Sequence, residues 1–164
     1  MIDSSEFPFP FSLIFKYFWL LAILAPFVYI PLFKMKANPY IKADPSLEDG
    51  YNKLIVGIIL STILPWVVIG IGMIFGKYDT FFDIMFGLRD WTPFSILFFG
   101  AIIAEAVLYF IWVWFRGGSE FLIKYHGILN MPRSSAQIKI MAAAMVVLSF
   151  FIPFMILSGR LGSF

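Results

Sequence analysis

The sequence contains no cysteine, and its one histidine is His126. Without cysteine the chain cannot form disulfides, thiolate metal sites or iron–sulfur clusters, and it has no cysteine nucleophile. One histidine cannot supply both axial ligands of a haem within a single chain. We therefore predict no metal site, and we interpret His126, which lies in a charged loop, as an interfacial residue.

Charge and catalytic motifs are also scarce. Only 13% of the residues are charged, the formal net charge is +2, and the basic residues are scattered along the chain. This pattern excludes the basic stripe of a nucleic-acid-binding module. The chain has no phosphate-binding glycine loop, no HExxH and no GxSxG motif. We therefore predict a protein that is not an enzyme and does not bind nucleic acid.

Apolar residues are abundant: 61% of the side chains are hydrophobic and 20% are aromatic. Four apolar runs are each long enough, at about 1.5 Å per helical residue, to approach or exceed the roughly 30 Å of a bilayer core. They cover residues 11–33, 54–75, 93–115 and 138–157. The sequence thus predicts an all-α integral membrane protein, with residues 1–164 forming a single membrane domain of four transmembrane helices.

Local signals refine the helix boundaries. Ser46, with Asp49 three residues later, resembles a capping box at the start of the second helix. Thr92 followed by Pro93 predicts the start of the third helix, because proline suits the first helical position. Ser134 or Ser135 could cap the fourth helix.

Prolines predict irregular positions inside the helices. Pro26 and Pro31 are expected to kink the first helix or to end it early. Pro65 frees a backbone carbonyl in the second helix, and Ser61, one turn earlier, could help to satisfy that carbonyl.

Two connecting segments are amphipathic and predict short interfacial helical pieces. Residues 77–93 combine charges with several aromatic residues, including Trp91, and residues 119–129 include His126. Such segments anchor a helical bundle at the level of the lipid headgroups. The alternative interpretation is a docking surface for a partner chain.

Lysine and arginine positions predict the orientation. The first and third connections together carry eight basic residues, whereas the opposite side carries four if Lys16 snorkels outward. The eight are Lys34, Lys36, Lys42, Lys53, Arg116, Lys124, Arg133 and Lys139. The excess places these connections in the cytoplasm and both termini in the periplasm, if the membrane is a bacterial inner membrane.

Glu105 is the candidate functional residue, because it lies one residue past the middle of the third apolar run. A charge at that depth costs about 2.5–3.5 kcal/mol, so the acid should be protonated, paired or directed into a wet cavity. Helical spacing places Tyr109 and Trp112 on its face, and Tyr109 could share a hydrogen bond with it. For Lys16 we favour membrane anchoring over an ion pair with Glu105.

Three interpretations of Glu105 remain open. It could hydrogen-bond a neighbouring helix in this chain or in a partner subunit. It could be a proton or cation site, although few other polar residues are available to line a path. It could also contact a ligand such as a lipid, quinone or pigment; the sequence identifies no cofactor.

Small residues four positions apart predict close helix packing, either inside the chain or between chains. These pairs are Gly57 with Ser61, Gly72 with Gly76, and Gly100 with Ala104. Together these features favour a non-catalytic integral membrane subunit or accessory protein of a larger complex. Its expected partners are the bilayer and other membrane subunits, or further copies of itself. The alternative is a small oligomeric transporter or channel that uses Glu105.

Overall fold

The structure, a computed structural model, describes residues 11–75, 78, 92–129 and 134–158. Within these residues 89% of the chain is helical and no strand occurs, which confirms the predicted all-helical fold. The helices are α1 (Phe11–Val28), α2 (Ile30–Ala43), α3 (Glu48–Ile74), α4 (Pro93–Phe115), α5 (Gly118–Lys124) and α6 (Ser135–Leu157). Four helical segments are long and apolar enough to cross a membrane: Lys16–Ala43, Pro45–Ile74, Pro93–Phe115 and Ser135–Ile156.

The first segment breaks where the prolines predict a break. The carbonyl of Pro26 accepts a hydrogen bond of 3.1 Å from the backbone N–H of Tyr29, and Pro31 lies at the start of α2. The helix then continues to Ala43, well past the end of the apolar run. Ala37 is completely buried, so α2 persists because it packs against the rest of the protein rather than because it is apolar.

The predicted capping box at Ser46 and Asp49 is wrong. Asp44 is the capping residue, and its carboxylate accepts hydrogen bonds from the backbone N–H and the hydroxyl of Ser46 at 3.0 and 2.7 Å. These bonds cap a 3₁₀ turn, Pro45–Leu47, which leads directly into α3. They also hold the pKa of Asp44 below its ordinary value, because both bonds favour the charged carboxylate.

The predicted start of α4 is confirmed. The hydroxyl of Thr92 accepts a hydrogen bond of 3.1 Å from the backbone N–H of Ser95, and Pro93 occupies the first helical position. The Ser95 hydroxyl accepts a return bond of 2.9 Å from the N–H of Thr92, which completes a capping box. Ser134 occupies the N-cap position of α6 but makes no side-chain capping bond.

The long helices form an open row, in the order α1, α3, α4 and α6, in which each helix packs against the next. Neighbouring helices run antiparallel, as shown by contacts between the end of one helix and the start of the next. The Phe94 ring of α4, for example, lies over Gly72 of α3, and the indole of Trp114 donates to the carbonyl of Lys139 at 3.1 Å. Within the described residues α1 and α6 make no extensive contact, so the row does not close into a ring.

Aromatic rings that lie over glycines join all of the described helices except α6. At each of these glycines a Cβ atom would overlap a ring from another segment. The pairs are Gly50 with Tyr125, Gly70 with Trp19, Gly72 with Phe94, Gly118 with Trp112, and Gly127 with Tyr40. Gly127 also has a φ of 100°, a conformation that side chains rarely adopt.

The buried apolar residues form two clusters, one at each end of α3 and α4 along the helix axes. The loop-end cluster contains Tyr51 and Ile55 of α3, Val113 of α4 and Ile138 of α6. The far-end cluster contains the buried residues Val68, Ile69, Phe94 and Phe99 of α3 and α4. The central turns of α3 and α4 therefore lie between the two buried clusters.

Hydrogen bonds between polar side chains connect α5 to the start of α6 at the loop end. The hydroxyl of Ser135 donates to that of Ser119 at 3.0 Å, and Ser119 donates to the carboxylate of Glu120 at 2.8 Å. The backbone N–H of Glu120 and the Ser119 hydroxyl hold the pKa of Glu120 below its ordinary value, and Lys139 adds to this effect. Helix α5 covers the first part of the predicted amphipathic piece at 119–129, whereas the piece at 77–93 lies almost wholly outside the described residues.

The glycine contacts yield a matched pair of variants. Gly50→Ala should lower the free energy of unfolding by about 1–3 kcal/mol, because the new methyl group displaces the Tyr125 ring. Gly57→Ala, in the same helix, should leave the stability unchanged or raise it by up to about 1 kcal/mol, because nothing lies near its Cβ position. Denaturant titration of the monomer in mild detergent measures both. Equal losses in the two variants would contradict the ring-on-glycine packing.

Candidate functional site

The candidate site is a polar pair between the central turns of α3 and α4. Ser61 is the central residue of α3, Glu105 lies one residue past the centre of α4, and the Ser61 hydroxyl donates a hydrogen bond to Oε1 of Glu105. Along both helices the pair falls between the loop-end cluster and the far-end cluster. The acid is thus placed where two neighbouring helices can share one polar contact.

This pair is not sealed inside the protein. The Ser61 side chain is exposed and Glu105 is only partly buried. Among the described residues Oε2 of Glu105 has no hydrogen-bond partner. One carboxyl oxygen of Glu105 is therefore hydrogen-bonded to α3, while the other remains accessible to a hydrogen-bond donor from outside the described residues.

The sequence did not identify Ser61 as the hydrogen-bond partner of Glu105. It suggested Tyr109, which the structure places on the packed side of α4, half-buried beside the loop-end cluster and 6.0 Å from Trp112 between ring centroids. Trp112 itself covers Gly118 and packs edge-on against Phe121. Both aromatic residues therefore contribute to helix packing, and the structure gives neither a hydrogen bond to Glu105.

The sequence carried only a weak signal for Ser61. Ser61 is one of few polar side chains in the second apolar run, residues 54–75, but it is the eighth residue of that run rather than its centre. It is central only because α3 begins at Glu48, and two antiparallel neighbours then bring their central residues to the same level.

The predicted role of Ser61 at the carbonyl freed by Pro65 is not formed, because its single hydroxyl hydrogen is directed to Glu105. The neighbouring Thr62 instead donates to the carbonyl of Ile58 at 2.8 Å.

Lys16 and Trp91 are the two predicted anchoring residues. Lys16 is exposed on α1, and neither ion pair within the described residues, Lys53–Asp49 or Lys139–Glu120, includes it. Trp91 lies outside the described residues. The anchoring role of both residues stays a prediction.

His126 belongs to the packing at the loop end. Its ring nitrogen Nδ1 is 3.0 Å from the carbonyl of Ile123, and its ring lies edge-on against Tyr40 at 5.1 Å between centroids. Its backbone carbonyl accepts a hydrogen bond of 2.9 Å from the hydroxyl of Tyr51. These contacts hold the loop after α5 against α2 and α3.

The polar pair supplies one hydroxyl and one carboxyl group, which can form hydrogen bonds, and the carboxyl group can also exchange a proton. Among the described residues no three histidine, cysteine or acidic side chains are grouped to hold a metal ion. Comparison of the chain with protein-family models, curated proteins and solved structures finds no match. The function of this chain is therefore inferred from its own geometry.

A double-mutant cycle should detect the bond between Ser61 and Glu105. The effects of Ser61→Ala and Glu105→Leu on the free energy of unfolding should be coupled by about 0.6 kcal/mol, the average for hydrogen bonds between membrane helices, and by no more than about 1.7 kcal/mol. Thr62→Ala is the matched control, because Thr62 bonds within its own helix and its effect should add to that of Glu105→Leu. Reversible unfolding in mild detergent provides both values. Additive effects of Ser61→Ala and Glu105→Leu would contradict the contact.

Proposed function

We propose that the chain is a multi-pass membrane protein whose four apolar helical segments each cross the bilayer. The support is the large apolar surface that the fold leaves uncovered. In the most apolar stretch of Pro45–Ile74 33% of the residues are buried inside the protein, and in that of Lys16–Ala43 only 6% are. Water would penalise such a surface, whereas hydrocarbon chains would cover it at no cost.

Within the membrane, we propose that the protein acts as a non-catalytic subunit or accessory of a larger complex. The observation that carries this proposal is the partly exposed Glu105, whose second carboxyl oxygen is unpaired within the described chain. A polar atom at mid-bilayer is costly unless a hydrogen-bond partner reaches it. Because the helix row is open, a helix of another chain can supply that partner.

Small residues beside the polar pair allow another helix to approach. Gly57 lies one turn before Ser61, and Gly100 and Ala104 are exposed on α4. Nothing lies within 4 Å of a Cβ atom built at Gly57 or Gly100, in contrast to Gly72, which the Phe94 ring covers. Packing inside the chain thus uses Gly72 but leaves the other two glycines free for contact between chains.

We name the face formed by Gly57, Ser61, Gly100, Ala104 and Glu105 the association face. It is suited to a helix that packs closely on the small residues and donates a hydrogen bond to Oε2 of Glu105. The alternative is a homo-oligomeric transporter or channel, which would need Glu105 to exchange protons or cations. The two functions differ in which chains accompany the protein and in the role of the carboxyl group.

The native mass of the tagged protein, extracted from its own membrane in mild detergent, tests the association face. We expect a foreign membrane chain in fixed stoichiometry, retained in Glu105→Gln, because an amide still accepts and donates hydrogen bonds, and lost in Glu105→Leu. Glu120→Leu, which removes an acid at the loop end, is the control and should keep the partner. Full assembly of Glu105→Leu would eliminate the proposed role of the acid. A homo-oligomer without foreign chains, whose ion flux Glu105→Gln abolishes, would establish the transporter instead.

The proposal includes an orientation, with the lysine-rich loop end in the cytoplasm of a bacterial inner membrane and both termini in the periplasm. The chain has no native cysteine, so single cysteines give unambiguous labelling. Ser158→Cys, at the exposed end of α6, should react with a membrane-impermeant maleimide on spheroplasts. Ala43→Cys, at the exposed end of α2, should react only after permeabilisation. The opposite pattern would invert the orientation.

A further inference from the structure

The break in the first helical segment creates a lateral groove between α1, α2 and α3. Helix α1 reaches the far part of α3 through Trp19, whereas α2 packs beside the start of α3, and the space between them is open at the side. This lateral groove has a volume of about 760 Å³. Its lining includes Phe18, Ala25, Tyr29, Lys36, Thr62 and Trp66.

The walls of the lateral groove suit a hydrocarbon chain. Phe18 and Trp66 pack edge-to-face with their ring centroids 5.4 Å apart and form part of the apolar wall. Thr62 directs its hydroxyl to the carbonyl of Ile58 at 2.8 Å, so the hydrogen of this wall residue is already used inside the protein. An apolar ligand can therefore fill this part of the groove without leaving that hydroxyl hydrogen unpaired.

One positive charge marks the end of the groove that is nearest to the lysine-rich loops. Lys36 is exposed, and neither of the ion pairs between described residues includes it. From Phe18 to Lys36 the two helices rise by roughly 27 Å at about 1.5 Å per residue, which exceeds the roughly 15 Å that one leaflet contributes to a hydrocarbon core of about 30 Å, so the groove is long enough for the acyl chain of one leaflet. An elongated apolar ligand with an anionic group at one end matches both the shape and the charge.

We propose that the lateral groove binds an anionic phospholipid of the surrounding bilayer, with its phosphate at Lys36 and an acyl chain along the wall toward Trp66. This site rests on the membrane insertion proposed above. Basic residues between membrane helices on the cytoplasmic side recognise anionic headgroups, and the apolar groove orders the chain below them. The site is separate from the association face, so it does not depend on a partner subunit.

Quenching of Trp66 by brominated lipids tests the site in vesicles that contain the full chain. Phosphatidylglycerol or phosphatidylcholine, each brominated near the end of its acyl chains, is added at equal mole fraction to a phosphatidylcholine background. The contribution of Trp66 is the quenching that disappears in Trp66→Phe. We expect brominated phosphatidylglycerol to quench Trp66 more strongly than brominated phosphatidylcholine does.

Two variants of α2 separate the groove from a general surface charge. Lys36→Gln should reduce the preference for phosphatidylglycerol about fivefold, as expected for one basic residue near an anionic headgroup. Lys42→Gln removes an equal charge from the last turn of the same helix, outside the groove, and should leave the preference unchanged. Ala25→Phe fills the groove without changing its charge and should lower quenching by phosphatidylglycerol.

Equal quenching of Trp66 by the two lipids would overturn the site while leaving membrane insertion intact. An equal loss of preference in Lys36→Gln and Lys42→Gln would also overturn it, because the selectivity would then belong to the surface as a whole. Absence of Trp66 quenching by both lipids, with the other tryptophans still quenched, would overturn the site alone, whereas absence of quenching at every tryptophan would overturn membrane insertion, and this site with it.

Discussion

Close approach between aromatic rings and glycine backbones is the interaction that joins every described helix except α6 to its neighbours. Five glycines each receive a ring from another segment, and these contacts join α1 to α3, α3 to α4, α4 to α5, α2 to the loop after α5, and that loop to α3. In an apolar solvent, burial of apolar area does little to bring helices together, so association depends on van der Waals contact at short range. Glycine permits this close approach, and the flat rings fill the space. The abundance of aromatic residues thus has a structural role beyond anchoring at an interface.

The same packing explains why the polar pair lies where it does. The rings on Gly70 and Gly72 fix one end of α3, and the Tyr125 ring on Gly50 fixes the other. With both ends held, the centres of α3 and α4 face each other, and Ser61 reaches Glu105. The helix ends are occupied by apolar clusters, whereas the centre carries a hydrogen bond and small uncovered residues. Strong internal packing at the ends is therefore compatible with an association face at the centre.

The broken first segment has a different consequence. Tyr29 interrupts the helix, so α1 and α2 contact different parts of α3. A straight helix could lie along α3 without leaving the lateral groove beside Thr62 and Trp66. The irregularity that the two prolines impose thus produces a concave apolar surface in an otherwise simple row of helices. Lys36 gives one end of that surface a charge.

The local signals of the sequence determined the helices and several of their ends. The long apolar runs specified four segments of membrane-spanning length, because hydropathy reports composition without reference to neighbours. Thr92 and Pro93 specified the start of α4, because a cap and its first turn are contiguous in the chain. The extension of α2 to Ala43 could not be predicted from apolar runs, since it depends on packing of Ala37 inside the protein. The choice of Asp44 over Ser46 as a cap required the geometry of the 3₁₀ turn.

Only the tertiary structure decided which residue is the hydrogen-bond partner of Glu105. The sequence by itself placed Glu105 at the middle of an apolar helix and showed that it needs a polar partner, because a buried charge is costly wherever it lies. It did not distinguish Tyr109, on the same helix, from Ser61, which is distant in the chain. Helical periodicity relates residues of one helix, whereas the rotation and level of two helices follow from the ring-on-glycine contacts between them. Those contacts brought Ser61 to the acid, and the open row that they form left its second oxygen accessible.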